Sequence, residues 1–98
     1  MTHNVLIRPA AERDLDAIAI YTKQQWGTRQ AQRYLAALRI DIESLADFPM
    51  RHALYRSSHG HEFRKLSSGH HLVFYTIDRR TVQVARILHE RMEPDRHL

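Results

Sequence analysis

The stretch HLVFYTI, residues 71–77, decides the fold, because it is a dense run of β-branched and aromatic residues. Such a run is typical of a strand that is covered on both sides. Residues 78–80 predict a turn into a further strand over residues 81–88, and residues 67–69 predict a turn out of a preceding strand over residues 62–66. The three strands most simply form an antiparallel meander in which residues 71–77 are central.

Two amphipathic helices are predicted upstream of the meander. Apolar positions recur at spacings of four and three from Pro9 to Trp26, which predicts a helix with one buried stripe, formed by Ala11, Leu15, Ile18 and Thr22. Gly27 closes this helix, and Thr28 is placed to cap the next. The second stripe ends at Phe48 and Pro49 and consists of Ala31, Tyr34, Leu35, Leu38, Ile42 and Leu45. Helices joined this tightly are expected to pack as an antiparallel hairpin.

The remaining segments complete the element order. Alternation over residues 4–8 predicts a short first strand, residues 50–61 predict a loop, and the tail from Met92 is able to fray or to form a short extra turn. The order is therefore β-α-α-β-β-β, and the helical hairpin is the element available to cover one face of the sheet. We expect a single α+β domain over residues 1–98, a two-layer sandwich with the hairpin packed on a small, mainly antiparallel sheet.

Composition and charge narrow the class of protein. The 98 residues are 43% hydrophobic and 27% charged, which is ordinary for one folded domain. Cysteine is absent, so neither a disulfide nor a thiolate metal site is available. No apolar run approaches the roughly 18 residues of a bilayer span, so we expect a cytoplasmic protein that does not enter a membrane. The formal charge of +4 favours an acidic partner, either nucleic acid or an acidic protein segment.

The order and spacing of residues along nearly the whole chain resemble the RelE/ParE toxin superfamily. The residues that carry the likeness are Asp14, Leu15, Ile18, Tyr21, Trp26, Gly27, Ala31, Tyr34, Leu45, Pro49, Arg64 and the run from His71 to Tyr75. The ending VARILHERM, residues 84–92, is similar to that of the ParE branch. Glu93 departs from that pattern, because ParE-like chains often carry Asp there, and this leaves the contacts of the tail open.

The resemblance implies the toxin of a type II toxin–antitoxin system. Members of the ParE branch poison DNA gyrase, whereas members of the RelE branch cleave messenger RNA in the ribosome. The ending therefore implies a gyrase inhibitor that causes growth arrest, contributes to plasmid stabilisation and is neutralised by a ParD-like antitoxin. An amphipathic antitoxin segment is expected across the helical hairpin or as an added strand at a sheet edge. The implied target-binding residues are Arg64, Arg86, His89, Glu90, Arg91 and Met92.

A ribosome-dependent endoribonuclease is the alternative function, and an adaptor that only binds the antitoxin is a third. RNA cleavage needs an acid–base group and cations that stabilise the phosphorane, which Arg64, Arg86 and His89 are able to supply. However, no tyrosine follows Tyr75 in the sequence. Arg86 and His89 also point to opposite faces of a regular strand, unless a bulge or the strand end reunites them. Ion pairs with neighbouring glutamates explain the two arginines equally well, and a structural hydrogen bond explains His89.

Neither a metal nor a cofactor is predicted. The histidines at residues 59–61 and at residues 70–71 lack a third ligand at a recognisable spacing. Trp26, at a helix end, is expected to pack rather than to stack on bases, and at least one of the aromatic residues 74–75 must face the core. Direct nucleic-acid binding by the chain alone is therefore not expected.

Overall fold

The computed structural model describes residues 3–98. Two helices, α1 and α2, span Pro9–Trp26 and Thr28–Glu43. The strands along the chain are β1 Asn4–Ile7, β2 Ala53–Arg56, β3 Glu62–Ser68, β4 His71–Asp78 and β5 Thr81–His89. Short 3₁₀ helices lie at Ser44–Ala46, Pro49–Arg51 and Pro94–Arg96.

The strands form one five-stranded mixed sheet in the order β1-β5-β4-β3-β2. β1 is parallel to β5, and the other neighbours are antiparallel. The predicted meander of β3, β4 and β5 is confirmed, as are the central position of β4 and the α+β class. Within residues 3–98, no helix is both long enough and apolar enough to cross a membrane.

Both predicted helical stripes face the sheet. All four members of the α1 stripe are buried, and Ala31, Leu38 and Ile42 of the α2 stripe are buried with them. Tyr34 and Leu35 are half-buried and pack against this cluster. The inward side chains of β4 and β5 that complete the core are Val73, Tyr75, Val82, Val84 and Ile87. Removal of this apolar surface from water is the main favourable contribution to folding.

Three local predictions are wrong. The segment predicted as a loop contains β2, a four-residue strand whose side chains are mostly exposed and therefore show no apolar alternation. α2 ends at Glu43 rather than near Phe48; there the Ser44 hydroxyl donates to the Asp41 carbonyl at 2.6 Å, and the chain tightens into a 3₁₀ turn. Thr28 is the first helical residue, so its side chain does not cap α2.

A β-bulge interrupts β5. Val84 and Arg86 lie opposite consecutive residues of β4, which leaves Ala85 as the extra residue. Beyond an extra residue, each side chain of the strand points to the face of the sheet opposite to the one it would otherwise occupy. Ile87 therefore faces the core, while Arg86 points to the other side of the sheet.

A carboxylate from α1 closes the edge of β5 at this bulge. β1 ends at Ile7, opposite Val84, where the chain turns into α1. Asp14 Oδ2 accepts the backbone N–H of Ile87 at 2.8 Å, and the two Asp14 oxygens also bind Arg86 Nε and Nη2 at 2.8 and 3.0 Å. The hydrogen bond to Asp14 raises the pKa of Arg86, so the guanidinium keeps its charge. One side chain thus holds α1 against the irregular part of the sheet.

The C-terminal tail lies against the second face of the sheet. Phe74 is fully buried there, with its ring centroid 5.5 Å from that of Tyr55. The Tyr55 hydroxyl donates to Asp95 at 2.7 Å, and the Arg86 guanidinium donates to the His97 carbonyl at 3.2 Å. The short turn predicted for the tail is therefore present as a 3₁₀ helix, and it shields part of this face.

Replacement of Asp14 by alanine is expected to destabilise the chain by about 2 kcal/mol, because it leaves a half-buried guanidinium and the Ile87 N–H without their acceptor. Urea denaturation measures the loss. Asp16→Ala is the matched control, since Asp16 is an exposed aspartate of the same helix. Equal losses in the two variants would contradict a structural role for the Asp14 carboxylate.

Candidate functional site

An open groove lies between α1, the start of α2 and the adjoining ends of β4 and β5. Its volume is about 950 Å³. We refer to it as the helix–sheet groove; its lining residues are Ala17, Ile18, Tyr21, Thr22, Trp26, Gln30, Tyr34, Gly69, His70, His71, His89, Glu90, Arg91 and Met92.

Large apolar side chains are exposed in the lining of the groove. The exposed fractions are 61% for Tyr21, 71% for Trp26 and 47% for Met92. The prediction that Trp26 packs in the interior is therefore wrong: it is the last residue of α1, and its ring lies in solvent. Apolar side chains that are exposed together on a concave surface are typical of a binding site for a partner.

Tyr34 joins α2 to the turn between β3 and β4. A hydrogen bond of 2.6 Å joins its hydroxyl to His71 Nδ1, and its oxygen accepts the backbone N–H of His70 at 2.9 Å. Gly69 permits this close approach, because at φ +57° a Cβ atom on residue 69 would lie 2.7 Å from the Tyr34 ring. Burial raises the pKa of Tyr34, so the hydroxyl keeps its proton at neutral pH.

Three histidines meet on the polar wall of the groove. The ring of His89 lies 6.3 Å from that of His70 and 5.2 Å from that of His71, centroid to centroid. Burial lowers the pKa of His71, and the nearby His89 and His70 lower it further, which favours its neutral form. Glu90 accepts from His70 Nδ1 at 2.9 Å, and this bond lowers the pKa of Glu90. The only carboxylate on the wall is thus already paired with an imidazole.

Four of the six predicted target-binding residues lie together in the groove. They are consecutive, at the end of β5 and just beyond it: His89, Glu90, Arg91 and Met92. The backbone N–H of Arg91 donates to His89 Nδ1 at 3.1 Å, so the chain that leaves β5 holds the imidazole in place. His89 was expected to donate a structural hydrogen bond at the strand end; in the structure its Nδ1 accepts one instead. Arg64 and Arg86 do not line the groove.

The three residues of the ribonuclease alternative lie apart. Arg64 donates to the carbonyls of Met50 and His52 at 2.8 and 2.7 Å, and Arg86 is bound by a carboxylate of α1. The expectation that these arginines form ion pairs with neighbouring glutamates is therefore wrong. The bulge in β5 precedes Arg86, so it leaves Arg86 and His89 on opposite faces. The structure therefore does not bring Arg64, Arg86 and His89 to one point.

Sequence reasoning missed how the groove is assembled. Tyr34 and His71 are 37 residues apart, so no local spacing reveals their contact. The available clue was Gly69, since a glycine in a tight turn often allows another element to approach closely. Among residues 3–98, no group of three or more His, Asp or Glu side chains is placed to hold a metal ion, although three histidines lie close together.

Replacement of Gly69 by alanine is expected to destabilise the chain more than Gly60→Ala. Both glycines have positive φ, which costs alanine about 1 kcal/mol in each case. At residue 69 the new methyl group must also displace the Tyr34 ring, which costs about 1 kcal/mol or more in addition, whereas the space around residue 60 is open. Urea denaturation of the two variants gives the difference, and equal stabilities would show that the Tyr34 contact is weak.

The stability of the chain is expected to fall as the pH drops below 6.5, the ordinary pKa of histidine, in part through His71. Its pKa is lowered in the folded chain, so below pH 6.5 the unfolded chain binds a proton that the folded chain does not. His71→Gln should therefore reduce the loss of unfolding free energy between about pH 7.5 and about pH 5.5. The exposed His61, replaced in the same way, is the control. An unchanged pH dependence in His71→Gln would contradict this assignment.

Comparisons with known proteins agree on one family. The family described as "ParE toxin of type II toxin-antitoxin system, parDE" matches residues 5–94. The chain is 38% identical over 100 aligned residues to Toxin ParE1 of Mycobacterium tuberculosis, with 100% of both chains covered, and 38% identical over 89 residues to Toxin ParE1 of Caulobacter vibrioides, with 90% of each covered. Its fold is similar to a structure described as the chromosomal ParDE TA system from P. aeruginosa, with a TM-score of 0.77 and 18% identity over 90% of this chain and 96% of that one. The chain therefore belongs to the ParE family, the toxins of ParDE type II toxin–antitoxin systems.

Proposed function

We propose that the chain inhibits DNA gyrase by binding to it, and that a ParD-like antitoxin neutralises the toxin by occupying the helix–sheet groove. Membership of the ParE family supports the first part, since the ParE-like resemblance implies gyrase as the target. The observation that carries the second part is the exposure of Trp26, Tyr21 and Met92 in the lining of one groove. The proposal places the toxin in the cytoplasm with gyrase.

The groove fits an amphipathic segment with acidic side chains. Tyr21 and Trp26 provide apolar contacts along α1, and an amphipathic helix docks its apolar face in grooves of this kind. The opposite wall carries His70, His89 and Arg91, while its one carboxylate is paired with an imidazole. Acidic side chains on the polar flank of such a segment would meet cationic or neutral groups, which favours their association.

A binding mechanism is better supported than RNA cleavage. Stabilisation of a phosphorane requires cations that are free to approach the phosphate and an acid–base group beside them. Arg86 is already neutralised by Asp14, and Arg64 donates to two backbone carbonyls. His89 lies in the groove, on the face of the sheet opposite to Arg86. These positions supply contacts for a partner rather than a reaction centre.

The purified toxin is expected to inhibit DNA supercoiling by gyrase or to cause cleaved DNA to accumulate. It should leave messenger RNA on ribosomes intact. Expression without the antitoxin should arrest growth. The same preparation with its antitoxin added in excess is the control for both assays. Cleavage of ribosome-bound messenger RNA with no effect on gyrase would replace this function with that of an endoribonuclease, and the absence of any growth arrest would favour an adaptor.

Replacement of Trp26 by alanine is expected to weaken binding of the ParD-like antitoxin by about tenfold or more, because exposed tryptophans in a groove are frequent hot spots. Ile40→Ala is the matched control, since Ile40 is 65% exposed but does not line the groove. Isothermal titration calorimetry compares the affinities. Similar affinities for the two variants would exclude the groove as the main antitoxin site.

A further inference from the structure

The net positive charge of the chain is concentrated in one segment. From Pro49 to Ser68 there are four basic residues, Arg51, Arg56, Arg64 and Lys65, and one acidic residue, Glu62. The rest of the chain carries eleven basic and ten acidic residues, which nearly cancel. This segment contains β2 and most of β3, so the formal charge of +4 lies mainly at one edge of the sheet.

The outer edge of β2 offers backbone groups for pairing. β2 is the last strand of the sheet and pairs only with β3, so alternate residues direct their N–H and C=O groups away from the sheet. Among residues 3–98, no backbone group beyond β3 pairs with Ala53–Arg56. The β1 edge differs, because the backbone N–H of His3 donates to the Ala46 carbonyl at 2.7 Å. Unprotected edge strands readily accept a further strand.

Exposed apolar side chains lie in β2 and in the segment that leads into it. The exposed fractions are 73% for Phe48, 67% for Met50 and 58% for Leu54. Phe48 also has φ +53° and ψ +51° and precedes a proline, a backbone conformation that is unfavourable for an aromatic residue in that position. Phe48 thus combines a strained backbone with an exposed ring, and burial of the ring within the chain contributes little to offset the strain.

The surrounding structure holds Phe48 in this position. Burial raises the pKa of Tyr75 to about 12, and its hydroxyl donates to the carbonyl of the buried Pro49. Arg64 donates to the carbonyls of Met50 and His52. Strained residues persist where neighbouring contacts determine their conformation in this way, and they concentrate at functional sites. The backbone that follows Phe48 is therefore fixed before any partner arrives.

We infer that the β2 edge is a second recognition surface, separate from the helix–sheet groove, which binds an extended acidic segment of the toxin's protein target as an added strand. The inference rests on the proposed function, which names gyrase as that target. The unpaired backbone selects an extended peptide, and Phe48 and Leu54 select apolar residues. Arg56 is paired with Glu62, so the net positive charge that selects acidic residues is that of Arg51, Arg64 and Lys65. A nucleic acid would complement the positive charge of the edge but not its unpaired backbone or its apolar side chains. A small cavity beside the β2 edge, whose lining includes Met50, Leu54 and Ile77, shares no lining residue with the groove, so one partner can leave the other surface free.

The decisive comparison is Leu54→Glu against Leu6→Glu in otherwise identical full-length toxin. Both residues are exposed leucines of four-residue edge strands, at opposite edges of the sheet, and both substitutions change the net charge equally. We expect Leu54→Glu to weaken gyrase binding and inhibition by about tenfold or more, since it replaces an apolar contact with a charge that repels an acidic segment. Leu6→Glu should change both by less than about twofold. Affinity for the antitoxin should be unchanged in both.

A second variant, Phe48→Gly, tests whether a loss of gyrase binding could result from misfolding. Glycine adopts a positive φ without strain. The melting temperature of Phe48→Gly should therefore equal or exceed that of the unaltered toxin, while its affinity for gyrase falls. Hydrogen exchange adds a direct test, because amides of residues 53–56 should gain protection when gyrase binds to the unaltered toxin.

The outcomes are separable. Equal effects of Leu54→Glu and Leu6→Glu, or full gyrase inhibition by Phe48→Gly, would overturn the β2 edge as the target site and leave the proposed function intact. Loss of antitoxin affinity in Leu54→Glu would assign the edge to the antitoxin and also overturn the inference. Unaltered toxin that neither binds nor inhibits gyrase would overturn the proposed function, and the inference with it.

Discussion

The carboxylate of Asp14, bound to the bulged part of β5, is the interaction on which the site depends. In a regular strand Val82, Val84 and Arg86 would share one face, and the arginine would enter the core. The extra residue in β5 exchanges the faces, so Ile87 replaces Arg86 toward the helices. Asp14 stabilises this arrangement, because it accepts the Ile87 N–H and binds the displaced guanidinium. A bulge without such an acceptor would leave polar groups unsatisfied.

The same exchange of faces determines which residues reach the groove. His89 lies two residues beyond Ile87 and therefore on the same face, next to His71 of β4. Tyr34 then approaches from α2, because the turn before β4 has a glycine at its closest point. The groove thus results from the bulge in β5, from the glycine at residue 69 and from the position of the helical hairpin.

The fold is largely predictable from sequence, whereas the assembled site is not. The stripe from Ala11 to Thr22 and the run at residues 71–77 are local patterns, and both elements form where these patterns predict them. β2 was missed because its four exposed residues acquire strand structure only by pairing with β3. The exposure of Trp26 was missed for a related reason: position at a helix end does not reveal whether another element covers the ring. Local spacing specifies elements, and contacts between distant elements specify the site.

The proposed separation of two surfaces constrains how neutralisation works. The groove adjoins His71 at one end of β4, and the small cavity beside the β2 edge adjoins Ile77 near the other end. At about 3.3 Å per residue, these ends are on the order of 20 Å apart. An antitoxin confined to the groove would not cover the β2 edge by contact alone. It must therefore continue along the chain for about six extended residues, or block gyrase by its bulk. Inhibition by steric bulk depends on the size of the bound antitoxin, whereas inhibition by an extension depends on its sequence.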